Sequence, residues 1–172
     1  NYGKIPLSFE ANTGQTNKKV KFFSRSQGYG LYLTPTEAVM VLNTRRQETA
    51  DGRPEKIKEQ PSPVSDPSVL RMKLAGANPH PKLSGEEEQS SKSNYFVGND
   101  PRKWHTNIGN YGKVRYQEVY DGIDLVYYGN QRKLEYDFIV HPGADYKKIR
   151  MKFKGADKVS IDADGNLLLH TK

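Results

Sequence analysis

The run Tyr111–Val140, YGKVRYQEVYDGIDLVYYGNQRKLEYDFIV, is the densest concentration of aromatic and β-branched residues in the chain, and the architecture turns on it. Three segments within it alternate with a period of two. Val114 and Tyr116 oppose Arg115 and Gln117. Ile123, Leu125 and Tyr127 oppose Asp124, Val126 and Tyr128. Leu134, Tyr136, Phe138 and Val140 oppose Glu135, Asp137 and Ile139. Successive side chains leave a strand on opposite faces, so the pattern marks half-buried strands. Asp121-Gly122 and Gly129-Asn130 can supply the positive φ that tight connections need. The stretch predicts a three-stranded antiparallel meander at the centre of the fold, with the Leu134–Phe138–Val140 row buried beneath a second sheet.

The flanking chain repeats the theme in shorter units. Leu7 and Phe9 alternate with Ser8 and Glu10 in an extended segment opened by Pro6, which lacks a donor. Val20–Ser24, Tyr29–Leu33, Thr36–Leu42 and Val69–Leu74 read as strands separated by Gly, Pro and Asn turns. Pro81–Ser91 is polar and reads as exposed chain, and Asn94–Val97 as a short aromatic strand. After His141-Pro-Gly143, Asp145 caps one turn through Lys148. Ile149, Met151 and Phe153 then alternate with Arg150, Lys152 and Lys154. Asp162-Ala-Asp-Gly-Asn166 joins Val159–Ile161 to Leu167–Leu169 as a closing hairpin. Many short strands and no long segment of period 3.6 predict an all-β protein, an antiparallel β-sandwich with a barrel as the alternative arrangement.

The chain has 172 residues, which suits one β-rich domain over 1–172. Thr44–Ser68 departs from the rest: prolines and glycine recur, charges are many, and few apolar groups stand beyond Ile57 and Val64. Such composition cannot offset the entropy of ordering, so a long mobile insert is expected there. No cysteine is present, which excludes disulfides, thiolate metal sites and cysteine nucleophiles. No apolar run approaches the ~20 residues of a membrane helix, and no signal peptide is present in the sequence, although Asn1 is compatible with cleavage of one. The formal charge of +7 is spread along the chain, with acids such as Glu86-Glu87-Glu88 among the bases, so it describes a solvated surface rather than a nucleic-acid stripe.

Several stretches together are similar to the domain of unknown function that leads bacterial SBBP-repeat (β-propeller-repeat) proteins. They are Leu7-Ser-Phe-Glu-Ala-Asn-Thr-Gly-Gln15, Lys92-Ser-Asn-Tyr-Phe-Val-Gly-Asn-Asp100, Tyr120-Asp-Gly-Ile-Asp-Leu-Val-Tyr-Tyr128 and Leu134-Glu-Tyr-Asp-Phe-Ile-Val-His-Pro-Gly-Ala144. Gly155-Ala-Asp157 and Asp164-Gly-Asn-Leu167 fit its closing part. The resemblance covers nearly the whole chain outside the Thr44–Ser68 insert. It implies an exported or cell-surface bacterial protein in which this domain leads a longer chain, and it implies no activity and no catalytic residue.

Asp124, Glu135 and Asp137 form the best carboxylate constellation, because the meander places them on one sheet face. Such a set serves glycoside hydrolysis or calcium binding when its members are free, and serves the sheet when they pair with Arg115, Arg150 or Lys152 or accept turn amides. The sequence favours the structural use. Asp162-Ala-Asp164-Gly165-Asn166 lacks the spacing and closing glutamate of a calcium loop and reads as a turn. His80, His105, His141 and His170 have no ligand spacing, and neither a G-x-S-x-G elbow nor a P-loop occurs. No metal or cofactor is expected. Trp104 reads as a plug over a core edge, with a ligand platform as its other use. Tyr127 points inward on this register and Tyr128 outward, so Tyr128 beside Trp104 is the best candidate for packing on a sugar ring.

These readings predict a non-catalytic extracytoplasmic module, structural or adhesive, that contacts a neighbouring domain or subunit, in part through open strand edges. A carbohydrate-binding module using Tyr128 and Trp104 is the alternative, and a glycoside hydrolase using Asp124 with Glu135 or Asp137 ranks below it. Nucleic acid and membrane spans are not expected partners.

Overall fold

A computed structural model describes residues 7–26, 28–42, 67–130 and 133–171. The insert expected from Thr44 lies outside the described residues as far as 66, and Ser68 already begins a strand. In chain order the strands are β1 (Phe9–Ala11), β2 (Phe22–Ser26), β3 (Tyr29–Leu33), β4 (Glu37–Leu42), β5 (Ser68–Leu74), β6 (Lys82–Tyr95), β7 (His105–Tyr120), β8 (Ile123–Asn130), β9 (Lys133–Val140), β10 (Met151–Lys154), β11 (Lys158–Ile161) and β12 (Leu167–His170). Two single-turn 3₁₀ helices intervene among the described residues. Asp100 caps one and Asp145 the other, the Asp145 carboxylate accepting from the Lys147 amide at 3.0 Å. No helix among the described residues is long and apolar enough to cross a membrane.

The all-β antiparallel architecture takes the form of one ten-stranded sheet curled into a half-barrel, with β11 and β12 as a second, small sheet. Its strand order is β10-β5-β4-β3-β2-β1-β7-β8-β9, with β6 on the other side of β7. The predicted meander is present as β7, β8 and β9. Its first turn is Asp121-Gly122, where Gly122 has φ +68° and Tyr120 pairs with Ile123.

The sheet forks at β7. Phe9 and Glu10 of β1 pair with Tyr111 and Asn110, while β8 takes the same side of β7 from Lys113 onward. Two wings result, β1–β5 with β10 and β6–β9, and they face each other across the core. Phe9, Phe22, Leu31, Leu33 and Ala38 come from the first, Val114, Tyr116, Ile123, Leu125 and Tyr127 from the second. Burying each large side chain stabilises the fold by roughly 1.5–3 kcal/mol, so the facing rows dominate its energetics. Buried tyrosine hydroxyls tie the wings polar end to polar end. Tyr116 donates to the Thr34 carbonyl at 2.9 Å, and Tyr120 to that of Ala75 at 2.9 Å. Burial pushes the Tyr116 phenol well up, so it stays a donor.

Three expectations change. The Leu134–Phe138–Val140 row is not fully covered: β9 is an end strand, Leu134 and Phe138 are half-buried, and Val140 is 40% exposed. The buried centre lies one strand inward, on β7 and β8. Gly129-Asn130 is not the turn but the end of the β8 ladder, pairing with Leu134 and Lys133. Residues 131–132, between Asn130 and Lys133, lie outside the described residues. Gly129 is needed for closeness instead, since a β-carbon there overlaps Leu7 where the chain leads into β1. Finally, Pro81–Ser91, read as polar exposed chain, is mostly strand, with half-buried positions among the exposed ones. Most of it belongs to the 14-residue β6, which pairs along β7. Its polar sequence carries no strand signal, but β7 offers it a free row of backbone partners, and Gly85 leaves room for the Tyr111 ring.

The end of β6 bends over the outer side of the first wing. Arg25 stacks between Phe23 and Tyr95, 5.0 Å and 5.5 Å from their ring centres, and the Tyr95 hydroxyl donates to Glu10 at 2.6 Å. This second cluster buries Phe23 on the face opposite the main core.

Candidate functional site

The outer face of the second wing carries most of the residues singled out from sequence. Strand register sets them in rows. Glu86, Lys113, Tyr128 and Glu135 lie side by side across β6–β9, and the next row is Ser84, Arg115, Val126 and Asp137. Asp124 stands opposite Ile139, one step further along. An open groove of about 310 Å³ runs over this grid from Glu86 and Lys113 to Asp137 and Ile139.

Asp124, Glu135 and Asp137 share this face as expected, but each is engaged. Asp124 is buried and its Oδ2 accepts from Arg115 Nε at 3.0 Å and lies 2.9 Å from Nη2, with His141 Nε2 at 3.4 Å. Its Oδ1 accepts the Glu118 amide at 2.7 Å. That amide belongs to the irregularity between Tyr116 and Tyr120, where Glu118 has φ +51°, a conformation side chains disfavour. Asp124 therefore pins a strained bulge. Burial pushes its carboxyl up, but the Glu118 amide, the Arg115 guanidinium and the His141 ring outweigh it and hold it below the usual carboxylate range. A general acid needs the opposite shift.

Arg115 also reaches Glu86 at 3.5 Å, and its guanidinium is held more strongly charged by Asp124. Lys113 pairs with Glu87 at 2.7 Å. The Tyr128 hydroxyl donates to Asp137 at 3.0 Å, and the acceptor carboxylate, with loss of water around the ring and the nearby Glu135, pushes the phenol up to about 12. Glu135 accepts from Asn130 Nδ2 at 3.1 Å. The face is a charge-paired lattice in which both structural uses, cross-strand pairing and capture of a turn amide, are realised at Asp124.

Trp104 lies elsewhere. It precedes His105 at the start of β7, whereas Tyr128 sits opposite Lys113, so half the length of β7 separates them. Nor does Trp104 plug a core edge, since it is not among the residues packed against the core. Its ring stands edge-on to Phe96 at 5.1 Å, its indole N–H donates to the Gly98 carbonyl at 3.1 Å, and it remains 37% exposed. The paired platform of Tyr128 and Trp104 is not formed. Asp162–Asn166 is a turn, with Asp162 accepting from the Asp164 and Asn166 amides at 3.0 Å and 2.8 Å. Among the described residues no group of three His, Asp or Glu side chains is placed to hold a metal ion.

Sequence reasoning named Arg115 as a partner but missed Glu86 and Lys113 as members of the groove. The alternation of Lys113 with Val114 was a usable signal. The placement of Glu86 depended on β6, which the sequence hid.

No curated protein and no solved structure matches the chain. The profile of one family does, over residues 9–172, and its description is a domain of unknown function, DUF7948. With nearly its full length matched, the chain belongs to the DUF7948 family of domains of unknown function.

Proposed function

We propose that the chain is a non-catalytic extracytoplasmic module, secreted or displayed on a bacterial cell surface, that assembles with a neighbouring domain or subunit. The export and the bacterial setting rest on the sequence resemblance to the leading domain of SBBP-repeat proteins. The assembly rests on one observation, the outer edge of β9. Among the described residues this eight-residue strand is paired on one side only, along an unbroken ladder with β8. No proline or glycine interrupts it, and Tyr136, Ile139 and Val140 are exposed beside it. An open edge presents unpaired backbone donors and acceptors, which another extended polypeptide satisfies by adding as a strand. The partner on this reading is a protein segment.

Hydrogen exchange and light scattering test it together. β9 amides facing outward should exchange faster than those of β8, and the chain should associate at high concentration. Ile139→Lys with Val140→Lys should abolish that association without loss of fold. A chain that stays monomeric at every concentration, with β9 amides as protected as those of β8, removes the reading.

Carbohydrate binding is the competing reading. The groove over Tyr128, Arg115 and Asp137 is the feature that favours it, since it offers a ring and polar groups together. Binding on a glycan array that is lost in Tyr128→Ala decides for it.

A further inference from the structure

Between the two wings lies a cavity of about 210 Å³, apart from the charged groove, that takes part of its wall from Leu134 and Tyr136 of β9. Register explains its walls. On the first wing Leu31, Met40 and Leu70 form one row, and Ala38, Met72 and Phe153 lie in the next. Tyr127, Tyr136 and Leu134 face them from β8 and β9, while Leu167 and Leu169 of the small hairpin lie across the opening. Among the described residues no charged side chain lines it. Leu31, Ala38 and Tyr127 are buried and make the floor, whereas Tyr136 and Leu167 are partly exposed and make the mouth. A second cavity of about 100 Å³ shares Ala38, Met72 and Tyr127 with it and reaches Leu74. The linings of the two together run along β5 from Leu70 to Leu74, roughly 13 Å, with Glu37 on the wall of the second. An apolar cavity of about 150 Å³ already suffices to take up benzene.

β10, an end strand of the sheet, forms one lip. Phe153 points into the cavity, and the alternate positions Lys152 and Lys154 are exposed on the opposite face of that strand. They stand directly opposite Lys73 and Arg71 on β5. Like charges facing across a ladder cost stability. Glu37 offsets the β5 pair, reaching Arg71 at 2.9 Å and Lys73 at 3.6 Å. Lys152 and Lys154 have no acidic partner among the described residues. An apolar slot beside uncompensated ammonium groups is the complement of an anionic amphiphile.

We propose that this cavity binds a free medium-chain fatty acid, its hydrocarbon tail between the wings and its carboxylate outside on Lys152 and Lys154. The site takes two wall residues from β9 but does not use that strand's open backbone edge. Tyr136 and Leu167 are the gate, and Met40 and Met72 touch the tail.

The chain has three methionines, so methyl-labelled methionine gives a three-signal spectrum, assigned by single Met→Leu variants. Sodium decanoate, titrated below its micelle-forming range, should shift the Met40 and Met72 methyls saturably. Hexanoate, octanoate and decanoate should tighten about fourfold per added methylene. Lys152→Glu with Lys154→Glu, on exposed positions, should weaken decanoate at least fivefold and leave decanol unchanged. Leu169→Trp should block both. Shifts that never saturate, affinity indifferent to chain length, or decanol binding as the carboxylate does in both proteins overturns the proposal. If Leu169→Trp fails to fold, the chain-length series and the lysine variant still decide it.

Discussion

Arg115 and Asp124 are joined across β7 and β8 through a single carboxylate oxygen, with Nε at 3.0 Å and Nη2 at 2.9 Å from Oδ2. The other oxygen is thereby left for the Glu118 amide. Removing the carboxylate frees a strained bulge and strands a guanidinium at once. Asp124→Asn should cost about 3 kcal/mol in denaturant unfolding, the range for breaking a paired buried charge. Arg115→Lys keeps the charge but loses the fork and should cost about 1 kcal/mol.

The same pair fixes the sign of one pH dependence. The Asp124 carboxyl is held below its ordinary value in the folded chain, so the unfolded chain binds the proton first. Its contribution to stability is complete above about pH 4 and is lost as pH falls through the lower folded value. Melting temperatures of the parent protein and Asp124→Asn, followed from neutral pH to about pH 2, should converge in acid.

Tyr128 and Asp137 allow a spectroscopic check. The phenol is pushed up to about 12 chiefly by its hydrogen bond to Asp137. Asp137→Asn should bring one tyrosine back toward about 10 in an ultraviolet titration, the ordinary value. Tyr128→Phe should remove that same transition.

Gly129 and Leu7 test the fork. A β-carbon at 129 overlaps Leu7, so Gly129→Ala should destabilise by about 2 kcal/mol through overpacking. Leu7→Gly removes the β-carbon it meets. The double variant should be more stable than the sum of the single changes, a coupling a mutant cycle measures directly.

Gly155 is fixed more firmly. It has φ +90°, and a β-carbon there runs into the Val69 carbonyl, which is backbone and cannot step aside. Gly155→Ala should cost about 3 kcal/mol, combining conformational strain with the clash. A change under 0.5 kcal/mol places β10 differently against β5.

Much of the fold was legible where each strand carried its own signal. Tyr29–Leu33 matches β3 end to end, and Tyr127 and Tyr128 point to the faces their alternation assigns. What failed needed a partner to be seen. β6 has almost no apolar residues and exists because β7 binds its backbone. The exposure of Val140 follows from β9 being an end strand, which is a property of strand order and not of local sequence. The candidate site was half visible. Asp124, Glu135, Asp137 and Tyr128 do share a face, but the distance from Trp104 follows from the length of β7. The cavity was hidden for the same reason. Leu70, Met72 and Phe153 alternate plainly, yet only register sets their rows against Tyr127 and Tyr136.

The forked strand also governs how the molecule comes together and comes apart. The ladder that joins one half to the other consists of Phe9 with Tyr111 and Glu10 with Asn110. Each pair spans roughly a hundred residues of chain, so this clasp is entropically the dearest to form and has to wait until the later strands are made. The same two rungs are the hinge line along which the halves would part under load, carrying the cavity between them open.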